Sequence, residues 1–190
     1  MNDPTTCPRA AGLSCEPAGP ITLQEARERF RREAKPGACD TSRYRCPYFS
    51  WGDGPPLVIV HGLSDAARSF ILLVTRLCAH FRCIAYDLPR GGSDGAWLGS
   101  YTHADLVDDL FALLDHLGIR QSYLLGSSFG STVVLAALRR GLPHVRRVEI
   151  AGCGHFPHLT HPEVLAELLH QFLTPPREAA DEARPPTAPR

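Results

Sequence analysis

Apolar positions along the middle of the chain alternate between two patterns. Leu57–Val60 is an unbroken apolar run, as in a strand buried on both faces. Ala67–His80 reads as a helix and Arg82–Leu88 as a second buried strand. After Thr102, the residues Leu106, Leu110, Leu113, Leu114 and Leu117 recur at helical spacing until Gly118 closes the run. Ser122–Leu125 predicts a third strand, Gly130–Arg140 a buried helix of small and apolar residues, and Val145–Ile150 a fourth strand. Thr160 and Glu163 form a capping box ahead of a helix with Val164, Leu165, Leu168, Leu169, Phe172 and Leu173 on one wide face.

Two more elements precede this series. Thr22 and Glu25 make a capping box for a short, charged helix running to Ala34, with Leu23, Ala26 and Phe30 as its apolar stripe. It is expected to be a solvated surface helix, ended by Pro36-Gly37. Tyr44–Trp51 predicts an antiparallel edge strand. The repeated strand–helix order implies an α/β fold: a mostly parallel sheet, helices on both faces and right-handed crossovers. Ligands of such sheets bind at the carboxyl ends of the strands.

Residues 1–20 are polar and proline-rich, and 174–190 carry prolines with almost no large apolar side chain. Both ends are expected to be disordered, leaving 21–173 as one folded domain. A length of 190 residues suits a single domain. With Lys+Arg 20 and Asp+Glu 20, the zero net charge argues against a polybasic nucleic-acid binder. No apolar leader is visible at the start, and the longest strongly apolar stretch, Val133–Leu138, is too short to span a bilayer. A cytoplasmic protein without membrane or nucleic-acid partners is expected. The seven cysteines are irregularly spaced with no C-x-x-C pair, so reduced thiols are expected rather than a disulfide framework or structural zinc.

The sharpest chemical feature is Gly126-Ser127-Ser128-Phe129-Gly130, a G-x-S-x-G placed directly after a predicted strand and opening a predicted helix. A tight turn there needs glycine at its flanks and holds Ser128 at the tip, beside the donors of a helix N-terminus. His61-Gly62-Leu63 follows the apolar strand Leu57–Val60, so the amides of Leu63 and Phe129 can face one developing oxyanion. Gly152-Cys153-Gly154-His155 follows the last predicted strand and sets His155 on the same rim, where a neutral imidazole can take the serine proton. His155, His158 and His161 also form an H-x-x-H-x-x-H run, but the spacing matches no standard zinc pattern, and no metal site is assigned.

Taken together, LVIVHGL at 57–63, AYDLPRGGSD at 85–94, LLGSSFG at 124–130 and GCGHFPHLTHPE at 152–163 resemble an α/β-hydrolase-fold protein, in the family's order, over roughly residues 43–173. The resemblance implies Ser128 as nucleophile, His155 as general base, and Leu63 and Phe129 as the oxyanion hole. It implies no cofactor, a small-molecule substrate and serine-hydrolase, esterase-like chemistry. Asp87 and Gly91-Gly92-Ser93 match a structural turn of that family.

One part of the family pattern is missing. Its acid stands between serine and histidine, yet Glu149 is the sole carboxylate between Ser128 and His155, and it lies within a predicted strand. The sequence therefore resembles a reduced α/β-hydrolase fold, joined near Arg140–Pro143 and lacking the lid and the acid-bearing strand. Losing the acid costs on the order of 10⁴ in kcat. Asp65, Asp87 and Asp94 stand near the rim, with turn or capping roles expected of each. Three readings follow: an impaired serine hydrolase, a non-catalytic remnant or binding module, and a truncated gene product. Lost strands would also leave an apolar sheet edge, through which a homodimer is expected.

Overall fold

The computed structural model describes residues 21–89, 98, 101–140, 155 and 157–173. Helix α1 (Leu23–Glu33) leads into strands β1 (Lys35–Asp40), β2 (Arg45–Trp51) and β3 (Pro56–Val60). A 3₁₀ turn at Ala67–Phe70 then opens α2 (Ile71–Leu77), followed by β4 (Arg82–Tyr86), α3 (His103–His116), β5 (Tyr123–Gly126) and α4 (Phe129–Arg139). The short α5 (Pro157–Thr160) and α6 (Pro162–Leu173) complete the described elements.

The five strands form one sheet in the order β1-β2-β4-β3-β5. β3 is parallel to both β4 and β5, with Leu57 opposite Cys83 on one side and Tyr123 on the other. β1 and β2 are antiparallel additions. The unbroken apolar run of β3 is explained by its central place: Leu57 and Ile59 pack on one face with Phe70, Leu73 and Leu77, whereas Val58 and Val60 pack on the other with Leu106, Leu110 and Val133. Period-two alternation thus feeds two cores. α1, α2 and α6 cover the first face, and α3 and α4 the second.

Several expectations are corrected in detail. Tyr44–Trp51 contains a strand, but β2 is interior, because Lys35–Asp40 pairs along its outer side. Pro36-Gly37 lies within that outer strand instead of ending a helix; an edge strand tolerates the missing proline donor. The Tyr48 ring occupies the space that a Gly37 side chain would need. α1 keeps its Thr22–Glu25 capping box, but it is not merely solvated: Ala26 is fully buried, and the Phe30 ring meets Phe49 edge-on at 4.9 Å.

The helix expected over Ala67–His80 begins as a 3₁₀ turn and ends at Leu77. α6 starts one residue later than a Thr160 cap would set it: Thr160 ends α5, and the His161 carbonyl accepts from the Leu165 N–H at 3.0 Å. The predicted strand at 145–150, both chain ends and the proposed join beyond Arg140 fall outside the described residues.

Candidate active site

Ser128 stands where β5 gives way to α4, at the helix N-cap, with φ 52° and ψ −120°. Among the described residues no other non-glycine has positive φ. Such a backbone costs about 1–3 kcal/mol and persists only where its surroundings enforce it. Here the Ser127 N–H donates to the Val60 carbonyl at 3.0 Å, tying the turn to β3. The Gly130 N–H donates to the Ser127 carbonyl at 2.8 Å, and the Ser131 hydroxyl to the Gly126 carbonyl at 2.8 Å. Gly130 packs on the backbone of β3, where a Cβ would run into the Val60 carbonyl oxygen. The serine is left exposed beyond the carboxyl ends of the parallel strands.

The loop after β3 meets this turn. A Cβ built on Gly62 would lie 3.2 Å from the Ser128 Cβ and 3.7 Å from its Oγ. Leu63 follows immediately, its side chain exposed, and Phe129 opens α4. Neither Leu63 nor Phe129 donates its backbone N–H to a described acceptor outside regular helix and strand pairing. As the first helical residue, Phe129 has no intrahelical partner for that donor.

His61 is buried and structural. Its Nδ1 lies 2.6 Å from the Gly62 carbonyl oxygen, and its Nε2 accepts from the Leu88 N–H at 2.9 Å. A carbonyl only accepts, so the ring carries its proton on Nδ1 and is neutral. It fastens the end of β3 to the end of β4. Asp87 accepts from the Ala67 N–H at 2.8 Å, in keeping with the turn role expected of it.

Asp65 does more than cap. Its Oδ1 accepts from the Ala66 N–H at 2.8 Å, and its N–H donates to the Gly62 carbonyl at 3.2 Å. Its Oδ2 lies 3.1 Å from His158 Nε2, close in distance but off the axis of a well-aligned hydrogen bond. His158 is 1% exposed, and its ring stacks on Phe70 with centroids 4.0 Å apart. Burial pulls the His158 pKa below the ordinary histidine value, opposed by the neighbouring Asp65 charge; His155 adds a lowering influence. Nothing in the H-x-x-H-x-x-H spacing signals the carboxylate that His158 meets.

The structure brings Ser128, Phe129 and the Gly62–Leu63 loop to one rim. His155 is exposed, just before α5. Gly152–Gly154, Glu149, Asp94 and Gly91–Ser93 lie outside the described residues. His158 turns toward Asp65, and His161 Nδ1 contacts the Thr160 hydroxyl at 2.8 Å. His103, which sequence reasoning did not single out, lies 5.4 Å from the Phe129 ring and 2.8 Å from the Thr132 hydroxyl. An open groove of about 730 Å³ involving Arg29, Lys35, Trp51 and Arg82 lies at the strands' other end, where β4 begins. It is remote from Ser128. No helix among the described residues is long and apolar enough to cross a membrane.

The arrangement of strand, serine turn and helix, with a glycine loop from the neighbouring strand beside the serine, defines a class of fold. Residues 55–141 match the family model of the alpha/beta hydrolase fold, and the sheet and serine turn described above are a reduced form of that fold. It is 35% identical over 117 residues to 2-hydroxymuconate semialdehyde hydrolase of Pseudomonas putida, across 57% of this chain and 40% of that one. It is 38% identical over 82 residues to the dihydrolipoyllysine-residue acetyltransferase component of the acetoin cleaving system of the same organism, across 43% of this chain and 22% of that one. Among solved structures, it resembles an epoxide hydrolase of Vigna radiata with 27% identity and a TM-score of 0.52, covering 56% of this chain and 36% of that one. The chain spans 40% or less of the length of these relatives.

Proposed function

We propose that the protein is a serine hydrolase acting on a small ester or related carbonyl compound through a serine acyl-enzyme. The observation that carries this reading is the strained Ser128 turn, held against the Gly62 loop. A strained, exposed hydroxyl beside two amides without described acceptors suits attack on a carbonyl, whose oxygen gains negative charge as the serine adds. In this reading Ser128 Oγ bonds to the carbonyl carbon while its proton passes to His155. The Leu63 and Phe129 amides hold the oxyanion. Collapse expels the alcohol, which takes the proton from His155, and water then releases the acid by the same steps in reverse roles.

The reading includes slow turnover. Glu149 is the sole carboxylate in the sequence between Ser128 and His155 and lies within a predicted strand, so the acid of the family pattern is missing from its usual place. Such a loss costs on the order of 10⁴ in kcat while leaving a residual rate from the oxyanion hole. It includes a small-molecule substrate, a cytoplasmic setting, no nucleic-acid or membrane partner, and self-association through a sheet edge, which sedimentation tests. The chemistry itself is tested by a fluorophosphonate probe followed by intact mass. One adduct is expected on the wild-type chain and none on Ser128→Ala. A wild-type chain that takes no adduct supports a non-catalytic module instead.

A further inference from the structure

A path of contacts leads from Ser128 to His158, three residues beyond His155 in the sequence. Gly62 approaches Ser128, and the Gly62 carbonyl accepts from the Asp65 N–H at 3.2 Å. Asp65 then reaches His158 at 3.1 Å. His158 stands three residues after His155, separated from it by Phe156 and Pro157, and Pro157 fixes its own φ at the start of α5.

Both members of the pair are buried, Asp65 at 8% and His158 at 1% exposed. Each is also held from a second side: the other Asp65 oxygen takes the Ala66 N–H, and the His158 ring lies flat on Phe70. A change of rotamer at either side chain would break these contacts. A buried carboxylate is costly unless it is partnered, so separating Asp65 from His158 is penalised strongly.

We propose that Asp65 and His158 are a positioning pair that anchors the segment beginning at His155 to the serine loop. This rests on the reading of Ser128 as nucleophile and His155 as base. Asp65 accepts no proton during the reaction. It acts through His158, by fixing where α5 begins and hence where His155 stands. The His158 ring cannot swing away without giving up both its approach to Asp65 and its stack on Phe70.

The test compares wild type, Asp65→Asn, His158→Gln and the double variant. Fluorophosphonate labelling rate is measured from acid to alkaline pH, with thermal melts reporting the fold. Misplacing a reacting group by about 1 Å costs on the order of 10²-fold. Each single variant is therefore expected to label at least about tenfold more slowly, with a displaced pH profile, and the double variant to be no slower than the worse single one. Wild-type rates and an unchanged profile in folded Asp65→Asn overturn the pairing.

Histidine NMR titration provides the readout that does not need activity. In the wild type, His158 is expected to titrate below ordinary histidine with a slowly exchanging ring proton. In Asp65→Asn, the His155 ring signals are expected to move. If wild-type Ser128 takes no probe, the hydrolase reading fails while the pair is still judged by these signals. A freely exchanging, ordinary His158 overturns the pair even if Asp65→Asn does not fold, and His155 signals unmoved by the substitution do so as well.

Discussion

A Cβ on Gly62 would lie 3.2 Å from the Cβ of Ser128. The loop after β3 and the turn after β5 therefore meet with little room to spare, one residue before Leu63. Gly62→Ala is expected to push the two loops apart by a few tenths of an ångström. The fold should survive, since a shift of that size can be taken up at the exposed Ser128, but labelling of Ser128 should slow by about tenfold or more. Labelling kinetics beside a melting curve check both halves of this expectation.

The backbone of Ser128 stores strain that a glycine would relieve. At φ 52° and ψ −120° a side chain is unfavourable, whatever its chemistry. Ser128→Gly should stabilise the protein by about 1 kcal/mol, whereas Ser128→Ala keeps the Cβ and should not. Urea unfolding of the two variants separates them. Equal midpoints would mean that the turn is not strained.

His158 makes stability depend on pH with a defined sign. Its folded pKa lies below the ordinary value because burial disfavours the charged ring. Between the folded and unfolded values the unfolded chain binds more protons, so stability falls as pH drops below about 6.5 and levels off below the folded value. Above that window the histidine has no further effect. In His158→Phe this part of the acid-side loss should disappear, as measured by urea midpoints from pH 8 to about 5.

The Thr102 capping box supports α3. Its hydroxyl oxygen accepts from the Asp105 N–H at 3.2 Å, and its own N–H donates to the Asp105 carboxylate at 2.9 Å. Thr102→Ala should cost about 1 kcal/mol, read as a lower urea midpoint. Asp105→Ala should cost more than the box alone, because Arg43 lies 3.9 Å from the same carboxylate.

Much of this architecture was legible because local pattern and final environment agree. The unbroken run Leu57–Val60 is what a central strand between two helical layers requires, and the leucine spacing after Thr102 buries one face of α3. The serine turn was legible from its glycines, which the contact of Gly130 with β3 demands. Lys35–Asp40 was not legible as a strand, since Pro36 and Gly37 signal a break and only pairing with β2 overrides them. The Asp65–His158 contact was hidden for a related reason. The two residues are distant in sequence, and the burial of each is created by helices that pack only in the finished fold.

The central claim is that Ser128 is a working nucleophile. Intact-mass analysis of the purified chain after fluorophosphonate treatment tests it most directly. The account predicts a single adduct on the wild-type protein, formed slowly, mapped to Ser128 and absent from Ser128→Ala. An unmodified wild-type chain, or an adduct that persists in Ser128→Ala, would contradict it.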